Sequence, residues 1–125
     1  MSKKIILLAG PTASGKSKLA IRLAKKFDGE IINADSMQIF KEFSILSSRP
    51  TSKDTKNVKH HLYGIISVKK YFSAGDWLKR VKKIINIFLK KKKLPIIVGG
   101  TGLYFNAIIK GLSKIPIISE RERGQ

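Results

Sequence analysis

The chain has 125 residues, enough for one domain with a buried core, and it has no cysteine, which excludes a disulfide framework and a thiolate metal site. No apolar run approaches the ~20 residues of a membrane span, and "MSKKIILLAG" is too short for a signal-peptide core, so a soluble cytoplasmic protein without a membrane partner is expected. The 26 basic residues against 8 acidic ones give a net charge of +18, which fits a polyanionic partner such as nucleic acid and equally fits the lysine and isoleucine bias of an AT-rich genome.

"KKIILLAG" predicts a strand buried on both faces and ended by Gly10. "GKSKLAIRLAKKF" has helical spacing, with Leu19, Leu23 and Phe27 as its apolar stripe. "EIINAD" is a second short strand, closed by Asp35, and together these make a parallel βαβ unit. From Glu42 to Lys59, serines, prolines and lysines predict a loop, and "HHLYGIISV" can hold a short edge strand. Ser73 and Asp76 then form a capping box, followed by Trp77, Leu78, Val81, Ile84, Ile85, Phe88 and Leu89 on one helical face. The lysine run from Leu89 to Leu94 suits a solvated helix end, where cations face the negative end of the dipole. "LPIIVGG" predicts another buried strand, and "TGLYFNAIIKGL" a helix stopped near Gly111. Finally "SERE", Ser119 to Glu122, has the form of a second capping box and predicts a helix that ends with the chain. Three firm strands, one short one and this unfinished helix predict a core truncated at its C-terminus.

The stretch "GPTASGKS", Gly10 to Ser17, has the G-x-x-x-x-G-K-[ST] spacing of a phosphate-binding loop, between a strand and a helix as that motif requires. Gly10 and Gly15 permit close backbone approach, successive amides face an anion over the positive helix end, Lys16 adds a point charge, and Ser17 can place its hydroxyl on Mg²⁺. The fold class that follows is α/β: a P-loop NTPase-like three-layer core with a mostly parallel sheet. Asp35 sits at the C-terminal end of a core strand beside this loop, where open α/β sheets bind ligands. It can serve as a general base, as a magnesium ligand through water, or as the N-cap of a helix after it. In "IIVGGTGLYF" no acid stands where an ATPase would often place one. Gly99, Gly100 and Gly102 let backbone approach a ligand there, and Thr101 can cap the next helix and donate to phosphate. His60, His61, Tyr104 and Phe105 fit structural roles better than chemical ones.

Taken together, "GPTASGKS", "DSMQIF", "HHL", "PIIVGGTGLYF" and "LSKIPIISERER" resemble the bacterial tRNA dimethylallyltransferases (tRNA isopentenyltransferases), in family order and over nearly the whole chain. The resemblance implies transfer of a dimethylallyl group from dimethylallyl diphosphate to the exocyclic amine of the adenine just 3′ of a tRNA anticodon, with Mg²⁺ as cofactor. It implies a nucleotide-type phosphate site at Gly10, Pro11, Thr12, Ala13, Ser14, Gly15, Lys16 and Ser17, the prenyl diphosphate lying on Thr12 to Ser17 and the metal on Ser17. It makes Asp35 the general base, with Thr101 beside it in the catalytic site. Asp35, Ser36, Met37, Gln38, Thr101 and Arg123 match positions that touch tRNA. The partners implied are the tRNA anticodon stem-loop and dimethylallyl diphosphate, and a monomer is expected.

The chain departs from the family in three places. "EFSILSSRP" replaces a Gly-Met-Asp-Ile-Gly-Thr-Ala-Lys-Pro-like run, "HHLYG" lacks the usual acid after "HHL", and the family's tRNA-gripping insert and later half are absent, so residues 1–125 are expected to be part of a catalytic core and inactive alone. Two other functions use the same features differently. A small-molecule or nucleotide kinase would need lid arginines, and the five arginines here are not clustered. A non-catalytic nucleic-acid-binding module would leave the phosphate loop and Asp35 without a use.

Overall fold

The computed structural model describes residues 5–9, 16–35, 38–41, 58–67, 69–99, 103–111 and 117–121. Among the described residues five strands and three helices follow in the order β1 (Ile5–Ala9), α1 (Lys16–Phe27), β2 (Gly29–Asn33), β3 (His60–His61), α2 (Ala74–Lys91), β4 (Leu94–Gly99), α3 (Leu103–Gly111) and β5 (Ile117–Arg121). The strands form one sheet in the order β3-β2-β4-β1-β5, and every pairing between them is parallel.

A parallel sheet covered on both faces needs apolar residues on both sides of each strand, which is why these strands are continuous apolar runs. Leu8, Ile31, Ile96 and Val98 face α1 and pack with Ala20 and Ala24. Ile5, Leu7, Ile32 and Ile97 point the other way, against Trp77, Val81 and Ile85 of α2 and Tyr104 and Ile108 of α3. The result is the three-layer α/β arrangement of the P-loop NTPase-like fold.

On α2 the prediction matches in detail. Ser73 Oγ accepts from the Asp76 N–H at 3.1 Å, and Asp76 returns a bond to the Ser73 N–H at 3.0 Å. Trp77, Val81, Ile85 and Phe88 are buried, and Leu78, Ile84 and Leu89 pack against them. The helix ends at Lys92 in the left-handed region (φ 58°), within the lysine run. The short edge strand expected in "HHLYGIISV" is β3, two residues long and paired to β2.

Two expectations are corrected. On α1 the residues in closest contact with the sheet are Ala20 and Ala24, whereas Leu19 and Leu23 are half-buried and Phe27 is 51% exposed. Small residues let the helix backbone approach the sheet, so size rather than hydrophobicity selects the buried line. The "SERE" segment is not a helix start. Ser119 and Glu120 lie in β5, which runs parallel to β1 from Ile5↔Ile117 to Ala9↔Arg121. The capping-box pattern loses to the open edge of β1, whose unpaired amides and carbonyls a neighbouring strand satisfies. The β-branched pair Ile117–Ile118 suits that strand. The sheet therefore has five strands among the described residues, one more than the sequence predicts. The loop expected from Glu42 to Lys59 lies mostly outside the described residues.

Candidate functional site

In a parallel sheet all strands end at one edge, and here β2, β4 and β1 end side by side. Ala9 is level with Gly99, and Asn33 with Val98. The segment that leaves β1 carries the phosphate-loop motif and enters α1 at Lys16. Asp35 follows β2 two positions to the side, about 10 Å away at the usual strand spacing. The first turn of α1 carries no acidic residue, so the positive end of its dipole faces this edge without a carboxylate from its own first turn. Motif and carboxylate thus share one edge, with the exit of β4 between them.

Several polar bonds hold the Asp35 segment. The Asp35 N–H donates to Asn33 Oδ1 at 2.8 Å, and Asn33 Nδ2 donates to the Asp35 carbonyl at 3.0 Å and to the Leu62 carbonyl at 2.9 Å. The Ala34 N–H continues the ladder to Val98. Gln38, buried to 9% exposure, donates its N–H to the Asp35 carbonyl at 3.1 Å, which closes a turn. Phe40 then bridges to Ile66 in parallel.

Gly99 has a role other than ligand approach. A Cβ at this position would lie 2.6 Å from Ala34 C and 2.8 Å from Asp35 N, both backbone atoms that cannot step aside. The missing side chain lets the exits of β2 and β4 touch, and so contributes to where Asp35 stands.

Behind this edge Trp77 Nε1 donates to the Asn33 carbonyl at 2.7 Å, and the indole stacks on Tyr104 at 4.7 Å and 18°. Burial pushes the Tyr104 phenol up from its ordinary value, and the charges of Asp76 and Asp35 push it the same way. Tyr104 is therefore a core residue, as the sequence predicts. His61 is bonded to Glu30 at 2.7 Å and packs edge-on against Phe88, while His60 meets the Val58 carbonyl and Tyr63. Both histidines bind their strand to its surroundings. Among the described residues no cluster of three or more His, Cys, Asp or Glu could hold a metal by protein ligands alone.

The structure thus brings Lys16 and Ser17 (as backbone), Asp35 and Gln38 to one edge. Gly10, Pro11, Thr12, Ala13, Ser14, Gly15, Ser36, Met37, Thr101 and Arg123 lie outside the described residues. Asn33, Trp77 and the segment after β3 were not foreseen. An Asn two positions before Asp at a strand end is the one local signal for the first of them, since Asx side chains bond the backbone two residues on.

A model of the family described as IPP transferase matches residues 38–125. The chain belongs to the IPP transferase family. A protein of Pelagibacter ubique named tRNA dimethylallyltransferase is 58% identical over 123 residues, which is 98% of this chain and 39% of that protein. Among solved structures, the tRNA delta(2)-isopentenylpyrophosphate transferase of Staphylococcus epidermidis superposes with a TM-score of 0.80 at 40% identity, over 86% of this chain and 35% of the other. A eukaryotic dimethylallyltransferase acting on tRNA superposes with a TM-score of 0.80 at 34% identity, over 86% and 27%. The chain spans about two fifths of the length of the curated relatives it matches. No helix among the described residues is long and apolar enough to cross a membrane.

Proposed function

We propose that this chain forms part of the catalytic core of an enzyme that transfers a dimethylallyl group from dimethylallyl diphosphate to the N6 amine of the adenine 3′-adjacent to the anticodon in tRNA. The observation that carries the reading is the shared sheet edge, with the phosphate-loop motif after β1 and Asp35 after β2 in a member of the IPP transferase family. The amine nitrogen bonds to the allylic carbon, the carbon–oxygen bond to diphosphate breaks, and an amine proton passes to the Asp35 carboxylate. Negative charge grows on the departing diphosphate. The loop amides, the N-terminus of α1 and Lys16 are the groups of this chain that would stabilise it. Asp35 would supply the general base, an effect of about 10²–10⁴-fold when well placed. The adenine has to leave its stack to reach such an edge. Ser36, Met37, Gln38, Thr101 and Arg123 are the proposed RNA contacts, and Thr101 would also serve the catalytic site.

Mg²⁺ fits the donor chemistry. Magnesium is commonly held by one or two side chains together with substrate phosphates and water. The Ser17 hydroxyl in the first turn of α1 would be its protein ligand, with Asp35 reaching it through water. When bound, the ion would neutralise diphosphate charge. A tRNA substrate implies a cytoplasmic enzyme.

The test joins residues 1–125 to the remaining part of the Pelagibacter relative, to give a full-length graft. The graft is incubated with tRNA and either labelled dimethylallyl diphosphate or γ-labelled ATP. Prenyl label on tRNA is the expected result. Label passing only from ATP to a small acceptor would replace this function with kinase chemistry.

A further inference from the structure

We propose that Asn33 is a positioning residue for Asp35, its carboxamide locking the chain as it leaves β2 so that the carboxylate two residues on is held in one place. The inference rests on Asp35 being the general base. Asn33 is the last residue of β2 and is 1% exposed. One side chain holds both backbone polar groups of Asp35, accepting from its N–H and donating to its carbonyl. The other amide hydrogen goes to the Leu62 carbonyl. The reverse amide orientation would set donor against donor at Asp35 N and acceptor against acceptor at Leu62 O, so the network selects this one.

The anchor on Leu62 matters for what it connects. Leu62 sits at φ 66°, in the left-handed region, at the exit of β3. From there the chain runs alongside the segment after Asp35. The Gly64 N–H donates to the Gln38 carbonyl and the Ile65 N–H to the Ile39 carbonyl, each at 2.8 Å. Asn33 therefore ties the front of the Asp35 turn to the same strip of chain that supports its back. Trp77 holds the Asn33 main chain from α2, and Gly99 lies against Ala34 and Asp35.

A buried carboxamide needs partners for its oxygen as well as its hydrogens, and here Asp35 takes up the oxygen and one hydrogen while Leu62 takes the other hydrogen. The two bonds to Asp35 also fix the backbone on which the carboxylate stands. A base must lie within hydrogen-bond reach of the proton it takes, and a displacement of about 1 Å can cost roughly 10²-fold.

The experiment uses the full-length graft, with melting followed in parallel. Asn33→Ala should lower kcat about 10- to 100-fold per folded molecule, with KM for dimethylallyl diphosphate unchanged. Asn33→Ser keeps a short acceptor for the Asp35 N–H and should recover part of that loss. If Asn33→Ala fails to fold, the decision passes to Asn33→Ser, which should lower kcat several-fold at constant KM. Wild-type kcat in whichever variant folds, or a loss that only tracks the folded fraction, overturns the proposal. Asp35→Asn is the control for the base itself. Turnover retained in Asp35→Asn overturns the base assignment whatever Asn33 does, whereas an inactive Asp35→Asn beside a normal Asn33→Ala overturns the positioning role alone.

Discussion

At the edge where the strands begin, α1 and α2 hand over to β2 and β4 through turns joined by a surface ion pair. Lys93 Nζ lies 2.7 Å from Asp28 Oδ1, with 75% of the Asp28 side chain exposed. At the edge where they end, the same two strands are joined by buried neutral bonds. The Asn33 carboxamide, the Trp77 indole and the bare backbone of Gly99 all converge on the residues leading to Asp35. A solvated ion pair is screened and pays side-chain entropy, so it fixes little. A buried hydrogen bond is costly to leave unmade, so it fixes geometry. Both edges share a close glycine approach, Gly29 to Leu94 at the start and Gly99 to Ala34 at the end, and the buried side-chain bonds are added at the end that leads to Asp35.

The largest effect should come from filling the gap between the two exits. Gly99→Ala sets a methyl against the Ala34 carbonyl carbon at 2.6 Å, and the backbone must move. Overpacking of this sort costs about 1–3 kcal/mol. Denaturant unfolding of residues 1–125 measures it, and wild-type stability would mean that the two exits are not in contact. Next is Trp77→Phe, which keeps most of the stacking surface on Tyr104 but leaves the buried Asn33 carbonyl without its donor. A loss of about 1–3 kcal/mol is expected by the same measurement.

A smaller effect belongs to the cap of α2. Ser73→Ala should cost about 1 kcal/mol. The Asp76 carboxyl is held below its ordinary value, first by the bond from the Ser73 N–H and then by the Ser73 hydroxyl. A depressed carboxylate adds stability above its unfolded value, and that contribution is lost as pH falls through the folded value. The stability gap between wild type and Ser73→Ala should therefore be present at neutral pH and narrow in acid, which melting at a series of pH values reads directly. The smallest effect should come from the opposite edge. Lys93→Ala should leave the melting temperature unchanged. A clear drop there would remove the contrast between the two edges.

How much of this was legible depends on how far apart the interacting residues lie. The α2 cap and stripe could be read because a helix is made of contacts three and four residues apart. The stripe on α1 was read in part, because Leu19 and Leu23 do pack on the core, but periodicity does not tell which residues of a face must be small, and Ala20 and Ala24 are chosen by the sheet. The segment at Ser119 was misread because a capping box is local and takes no account of the open edge of β1. Asn33 was only half legible, because its bonds to Asp35 span two residues whereas Leu62 and Trp77, which hold it from outside, lie 29 and 44 residues away.

The amino-acid sequence by itself determined the alternation of buried strands and amphipathic helices, the phosphate-loop motif between β1 and α1, and a carboxylate just past the end of β2. Those follow from short continuous apolar runs, from the 3.6-residue period of a helix and from the conformational freedom of glycine, all properties of short stretches. Only the tertiary structure decided that β5 closes the free side of β1, that Gly99 lies against the backbone of Ala34 and Asp35, and that one carboxamide holds Asp35 to the chain beyond β3. These are contacts between residues brought together by folding, and in a close-packed interior the available space and the unpaired polar groups select them.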